Sequence, residues 1–457
     1  MCFTCLRTIR VAAVSEVLSS LQGDLLRTLL RVLSNPEAML NISEVNTMTT
    51  ISAKDKARLR ELAKHQLELA KTERNVQLYK DWEAHGDMSV DSRPIITVEL
   101  WTFADEIITP RLQCESKEAR SLEASLLHNT INFDYFKDDT IVRDYIPIGI
   151  SYGLLPFNMP IKREETGGLG YQFIHQIEDL AEDFDKLSKS KIDTNLADRR
   201  AYGDFVQELI GDILPTKEVG VSAGASLTQN IVQVMGMENM YMAMMDEPEL
   251  FHRMMKMLTD DNIEMHKMME ADGILLPTNG DVDLAQGTFA FTSDLPKTGT
   301  GLKLSDLWIY IDSQEAAGLS PDMYHEFIFP YYKQLGDLFG LLSYGCCESV
   351  SEIWEKSVSA YGNLRKLSIS PWCDEEYIGE QLQHRNVVYH RKPFPNLIGV
   401  DRYLDEDAAR AHIAKTINAA KKVKKLEFSQ RDVYTVHNDL GKVERFVQII
   451  REECERR

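Results

Sequence analysis

Two adjacent thiols and a carboxylate, Cys346, Cys347 and Glu348, directly follow the apolar run LLSYG at 341–345. A third thiol, Cys373, follows LRKLSIS at 364–370, behind Pro371 and Trp372. Asp312 and Glu315 close a run that contains Tyr310. Asn279 closes ILLPTNG at 274–280, and His390, Arg391 and Lys392 close NVVYHRK. His437 lies just past the last such run, LEFSQRDVYTV at 426–436. Thiolates, carboxylates and imidazole brought to one place suit zinc, and the same grouping suits a nucleophilic thiol. Arg391 and Lys392 offer cationic donors to a carboxylate or a phenolate, and a pocket with both signs of charge points to a small organic ligand. Plainer roles compete: Cys346 as a small buried hydrophobe, Cys373 and His437 as loop residues, the acids and bases as structural ion pairs. Adjacent strand residues point to opposite faces, so Cys346 and Cys347 share a ligand only if the chain turns there.

These residues meet only if the runs before them are strands of one parallel sheet. Strands are expected at 94–100, 141–150, 216–221, 274–280, 307–314, 341–345, 364–370, 386–392 and 426–436. Helices are expected at 52–85, 115–132, 177–187, 196–213, 321–339, 350–359, 375–382, 406–420 and 440–453. The methionine-rich stretch 235–269 reads as adaptable core. Short strand, polar loop and helix in alternation make βα units and a parallel sheet. About eight such units predict an α/β fold, a (β/α)8 TIM barrel whose strand ends share one mouth. An open doubly wound sheet would show a Gly-rich phosphate loop after an early strand, and none is present.

Residues 1–47 do not share this pattern. They read as an N-terminal extension of uncertain status, with a helix near 15–33 and a lone Cys2/Cys5 pair. Residues 48–90 read as a helical lead-in, with Ser52 as cap and Leu59, Leu62, Ala63, Leu67 and Leu69 as an apolar stripe; 91–457 form the barrel. The chain has 457 residues, 51 Lys+Arg and 71 Asp+Glu, a net charge of −20. That balance argues against gripping nucleic acid, which needs clustered cations. No apolar stretch approaches the ~18 residues of a membrane span. Seven unevenly spaced cysteines do not make a disulfide framework, so a reducing, cytoplasmic setting is expected.

The segments SQE, LSPDMYHEFIFPY, SYGCCESVSEIWE, LRKLSISPWCD and VVYHRKPFPNL, within 313–397, together resemble the uroporphyrinogen decarboxylase-like superfamily. The likeness is closest to its branch with a YGCCE-type segment. ELWTFADEIITPRLQCES and GDILPTKEVGV extend the resemblance upstream, to about Ser52. It implies a (β/α)8 barrel. The superfamily holds porphyrinogen decarboxylases, and zinc methyltransferases that exchange methyl groups with a corrinoid protein. The decarboxylases carry arginines after the first strand to hold a polycarboxylate; ELWTFADEIITP at 99–110 has none. The methyltransferases bind zinc through His-x-Cys and a late cysteine. Here Gly345 and Tyr344 stand two before Cys347 and Cys346, so the histidine is missing, and the final strand offers His437 in place of the cysteine.

The resemblance therefore implies a methyltransferase-like enzyme moving a methyl group between a small compound and a corrinoid supplied by a partner protein. In that reading Cys346, Cys347 and Cys373 are metal ligands. Glu315 or Glu348 is a ligand or proton carrier, and Arg391 orients an anionic group. Asn279, Tyr310, Asp312, Trp372 and His437 contact substrate. The alternatives are a metal-free decarboxylase or lyase of a small acid, and a non-catalytic ligand-binding barrel.

Overall fold

The computed structural model describes residues 51–456 except 91 and 166–170. The extension 1–47 lies outside the described residues. Nine strands concern the site: β1 (Ile95–Val98), β2 (Ile146–Ile150), β3 (Thr216–Gly220), β4 (Ala223–Ala225), β5 (Trp308–Ile311), β6 (Leu341–Tyr344), β7 (Leu364–Ile369), β8 (Val388–Arg391) and β9 (Lys425–Gln430). Seven of them form one sheet in the order β1-β9-β8-β7-β6-β5-β4. Every neighbouring pair in it is parallel. β2 pairs in parallel with β3, and only Val221 and Ser222 separate β3 from β4.

Helices occupy the crossovers and are cut by side-chain caps. Ser52 accepts from Asp55 N–H at the start of α1 (Ala53–Ala70), and Thr72 accepts from Asn75 N–H at the start of α2 (Glu73–Gly86). The single helix expected over 52–85 is thus two, because the Thr72 hydroxyl takes a turn of backbone that a continuous helix would need. Asp374 caps α3 (Glu375–Leu382) and Asp405 caps α4 (Glu406–Ala419) in the same way. The methionine-rich stretch is core in part: Met240, Met244, Met254, Met255, Met265 and Met269 are buried, while Met237, Met242 and Met245 are exposed.

The sheet departs from a closed eight-stranded barrel at β1. Among the described residues β1 and β2 are not paired. Carboxylates satisfy the free edge of β1 instead. Asp139 Oδ2 accepts from Ile96 N–H (2.8 Å), and Asp138 Oδ2 accepts from Val98 N–H (2.8 Å). Asp139 N–H donates to Ile96 C=O (2.7 Å), and Asn132 Nδ2 donates to Val98 C=O (2.7 Å). A buried edge must find partners for each N–H and C=O, and here side chains from 132–139 stand where a neighbouring strand would. A second departure is 274–280: residues 274–279 form no strand, and Gly280–Asp283 pairs antiparallel with Phe289–Ala290. The loop between those two short strands lies on one face of the main sheet, where Thr97 Oγ1 donates to Gly287 C=O (2.7 Å).

Asp139 also holds Arg93 (2.8 Å) and Arg451 (2.8 Å), so one buried carboxylate joins β1 to the C-terminal helix Leu440–Glu455. Burial pushes its carboxyl up, but the two guanidiniums outweigh burial and hold it below the usual range. Its contribution is full above the unfolded carboxyl pKa of about 3.9 and is lost only as pH falls through the lower folded value. Asp139→Ala is expected to cost about 3–5 kcal/mol at pH 7, the scale for leaving buried charges unpaired. Urea unfolding reads it; a loss below about 1 kcal/mol would show that water replaces the clamp.

Candidate active site

Period-two alternation sorts the strand side chains between two faces. On β8, Tyr389 and Arg391 face the helices. Tyr389 OH donates to Glu375 C=O (3.1 Å). Arg391 donates to Ile369 C=O (3.1 Å), Ser370 C=O (2.6 Å) and Glu375 Oε1 (3.1 Å). Its donors are thus taken up between the sheet, α3 and α4, where Thr416 also meets Glu375 (2.5 Å). Arg391 meets the end of β7 only through the Ile369 and Ser370 carbonyls and its donors are taken up there and by Glu375, against the expectation that it orients a ligand. The neighbours His390 and Lys392 face the other way.

That other face is polar and buried. Lys366 Nζ, on β7, donates to Glu427 Oε2 on β9 (3.1 Å), to Thr288 Oγ1 (2.5 Å) and to Phe289 C=O (3.0 Å). Glu427 also lies 3.5 Å from His85 and 3.6 Å from His390. Burial opposes the charge on Glu427, yet Lys366 holds its carboxyl well below the usual range. His390 Nε2 shares a proton with Ser429 Oγ (2.7 Å), which in turn meets Thr97 Oγ1 (2.7 Å). Burial and the Lys392 charge push His390 far down, so its ring is neutral. Lys392 Nζ lies 2.9 and 3.0 Å from the two His390 ring nitrogens. Burial and then the Arg431 charge lower Lys392 to about 7.

The strand ends carry the thiols. Cys346 Sγ and Cys347 Sγ are 3.4 Å apart, so the chain does turn there, at Gly345 with φ 99°. Arg431 Nη1 donates to Cys346 Sγ (3.2 Å), and Arg431 Nε donates to Glu99 Oε2 (2.9 Å). Cys347 Sγ, half-buried, donates to Asp432 Oδ2 (3.5 Å). The neighbouring Cys347 thiol and burial push Cys346 well above its ordinary value, with Arg431 opposing. Gln286 reaches the same place from the inserted loop, donating to Tyr310 OH (2.8 Å) and Cys346 Sγ (3.4 Å). Ala285 and Gln286 both hold positive φ, 70° and 59°. Such a backbone costs on the order of 1 kcal/mol per residue and is kept where a side chain must be aimed.

Behind the thiols stands a group of acids. Tyr310 OH donates to Asp312 Oδ2 (3.0 Å) and Ser226 Oγ to Asp312 Oδ1 (2.5 Å). Glu348 accepts from Ser313 N–H (3.1 Å) and Cys346 N–H (2.8 Å). Burial, then the Asp312 charge, raises Glu348 to about 7. Burial raises Asp312 as well, against the hydroxyls that bond it. Glu315 accepts from Thr228 Oγ1 (2.8 Å) and is raised by burial and by Asp312.

The remaining expected site residues stand elsewhere. Cys373 is buried, with its sulfur 3.4 Å from Ser370 Oγ and 3.9 Å from Glu348 C=O. Asn279 is a loop clamp, donating to Thr292 C=O and Leu295 C=O (both 2.7 Å). Trp372 is 67% exposed and packs edge-on against Phe394. His437 is exposed and meets Val400 C=O (3.1 Å). Three cysteine sulfurs as expected for zinc therefore do not converge. Among the described residues no group of three His, Cys, Asp or Glu is placed to hold a metal ion. A guanidinium also stands beside Cys346. The cluster does not fit a structural zinc cage. Gln286, Lys366, Glu427 and Arg431 were missed from sequence. The Glu427, Ser429, Arg431 alternation inside an apolar run was the available signal.

No protein-family model matches the chain, and no curated protein matches it. Among solved structures it is similar to a methyltransferase from Methanosarcina mazei, at 11% identity and a TM-score of 0.45. The match covers 82% of this chain and 98% of that one. A likeness this distant leaves the chemistry to be argued from the site.

Arg391→Met is expected to lower stability by about 3 kcal/mol, because it removes the buried guanidinium from Glu375 and leaves that carboxylate to the Thr416 hydroxyl and the more distant Lys415 (3.7 Å). Urea unfolding of the variant measures this; a loss within about 0.5 kcal/mol would mean that Arg391 is not held in the packing layer.

Proposed function

We propose that the chain is an enzyme acting on a small organic molecule at the strand ends, and that it is methyltransferase-like, passing a methyl group from its substrate to a corrinoid carried by a partner protein. The observation that carries this reading is the facing thiol pair Cys346–Cys347, 3.4 Å apart between Arg431 and Asp432, with Glu348 behind it. The YGCCE segment of the superfamily resemblance is the same segment.

The chemistry asked of the protein is modest. A corrinoid held by the partner protein would supply the nucleophile that takes the methyl group; the carbon–heteroatom bond of the substrate would break with the electron pair left on the heteroatom. It then needs a proton. Glu348, raised to about 7 by burial and Asp312, is a carboxyl still protonated near neutral pH and suited to donate one. Asp312, bonded by Tyr310 OH (3.0 Å), is the neighbouring charge that helps to keep the proton on Glu348. Cys347, the more exposed thiol, lines the approach.

A second reading has its own observation. Lys392 beside neutral His390, with Arg431 near, resembles the cationic environment that a decarboxylase gives a small acid. The two readings part on products.

Protein incubated with cob(I)alamin and a panel of O-, N- and S-methylated compounds is expected to form methylcobalamin, followed by its absorbance. Glu348→Gln is expected to lower kcat by about 10²–10⁴-fold, the range for losing a general acid. The wild-type rate should fall as pH rises above about 7, because only the protonated Glu348 donates. CO₂ release from small carboxylic acids, with no cobalt methylation across the panel, would replace this reading with the carboxy-lyase.

A further inference from the structure

Among the described residues the polar face carries Lys366 and Arg431, each matched by a carboxylate, then Lys425, which bonds Ser92 Oγ (2.6 Å) at the far end of β9, and Lys392. Lys366 has Glu427 at 3.1 Å. Arg431 has Glu99 at 2.9 Å. Among the described residues Lys392 Nζ has no carboxylate in contact: it meets the two ring nitrogens of His390, an imidazole kept neutral, and feels Glu427 and Glu99 only at longer range. Its side chain is 2% exposed. An ammonium out of water without a counter-charge is costly, and the fold has other means of removing it: the position could hold a methionine of similar length. It is kept on β8 beside the thiols, at the mouth of the sheet.

We propose that Lys392, with Arg431 on the neighbouring strand, is the seat of a single negatively charged group of the substrate, a carboxylate. The proposal rests on reading this face as the substrate site and names the class of molecule it takes. One unmatched positive charge calls for one negative charge. A dianion such as phosphate would meet Glu99, Glu427 and Asp432 around the same two cations. The seat also explains the side-chain order on β8: the arginine of the His390-Arg391-Lys392 run is spent on packing, and the lysine is the residue turned inward. A carboxylate here lies against the thiol pair through Arg431, which bonds Cys346 Sγ at 3.2 Å. The remainder of the substrate is thereby directed toward Cys347 and the acids of Asp312 and Glu348.

Charge on Lys392 depends on everything that faces it: His390 on its own strand, Glu427 and Arg431 on β9, Glu99 beyond β1, Cys346 beyond β6, and Lys366 across the network. An anion seated there needs the ammonium form. Binding is therefore accompanied by proton uptake just above neutrality and weakens as pH rises.

The test is titration calorimetry on the full chain, with no methyl acceptor present. Benzoate and acetate are the probes, benzamide the neutral control and inorganic phosphate the dianion control. The carboxylates are expected to bind with proton uptake at pH 7.5, seen as a heat that changes with buffer. Their affinity should drop at least tenfold in Lys392→Met. Lys392→Arg, which stays charged, is expected to keep the binding and lose its weakening above pH 7. The proposal is overturned if no carboxylate binds, if benzamide or phosphate binds as well as benzoate, if Lys392→Met binds normally, or if Lys392→Arg keeps the pH dependence. Carboxylate binding without any methyl transfer would sink the reaction reading and leave the seat standing. Methyl transfer from neutral compounds alone would do the reverse.

Discussion

The Lys366–Glu427 ion pair sits out of water on the polar face of a parallel sheet, and its surroundings are arranged to keep it there. Two buried charges repay their desolvation only when their remaining donors and acceptors are also engaged. Thr288 and the Phe289 carbonyl occupy Lys366; on Glu427 only Oε2 is bonded, while Oε1 has no hydrogen-bond partner among the described residues and His85 and His390 stand at 3.5 and 3.6 Å. The inserted loop is thus a structural member. It supplies partners to Lys366, closes on Thr97 through Gly287, and aims Gln286 at Cys346. Once that centre is set, the layer toward the strand ends is fixed by strand register: His390 and Ser429 next, then Lys392 and Arg431.

The βα alternation was legible in sequence because each strand is a short apolar run between polar loops. Five strands of the main sheet, β1 and β5 to β8, fall within the expected runs, and β9 begins one residue before its run. Closure was not legible. It depends on whether β1 pairs with β2 or with side chains, and Asp138, Asp139 and Asn132 lie in a stretch, 132–139, that has no strand pattern. The 274–280 run misled for a related reason. Its apolar residues pack against the sheet as coil, with the Leu276 and Pro277 carbonyls within 2.4 and 2.5 Å of where a Gly220 side chain would be. Only glycine at position 220 admits that backbone.

Side-chain direction decided which candidate residues meet. Arg391 was the natural choice for an anion because arginine forms paired bonds with carboxylates. It does meet a carboxylate, but by one bond (3.1 Å) and on Glu375 of a helix. One position along, Lys392 has the opposite direction and a different fate. The cysteines divide likewise: Cys346 and Cys347 come together because Gly345 permits a turn that no regular strand makes, while Cys373 is absorbed by Ser370 and a carbonyl. Glu348 and Asp312 were expected on the strand-end face and do meet there. Trp372 and His437 are set by loops, whose course a sequence pattern does not define.

The claim on which the rest turns is that one buried ammonium on this face, Lys392, has no carboxylate in contact among the described residues. Carbon-13-labelled lysine, followed by NMR across pH in the wild-type protein and assigned by the signal missing from Lys392→Met, measures it directly. The expected result is a lysine that titrates at about 7. A Lys392 signal titrating near the ordinary value of about 10.4 would mean that water or a hidden carboxylate already serves it, and would contradict the reading of this face as a site waiting for an anion.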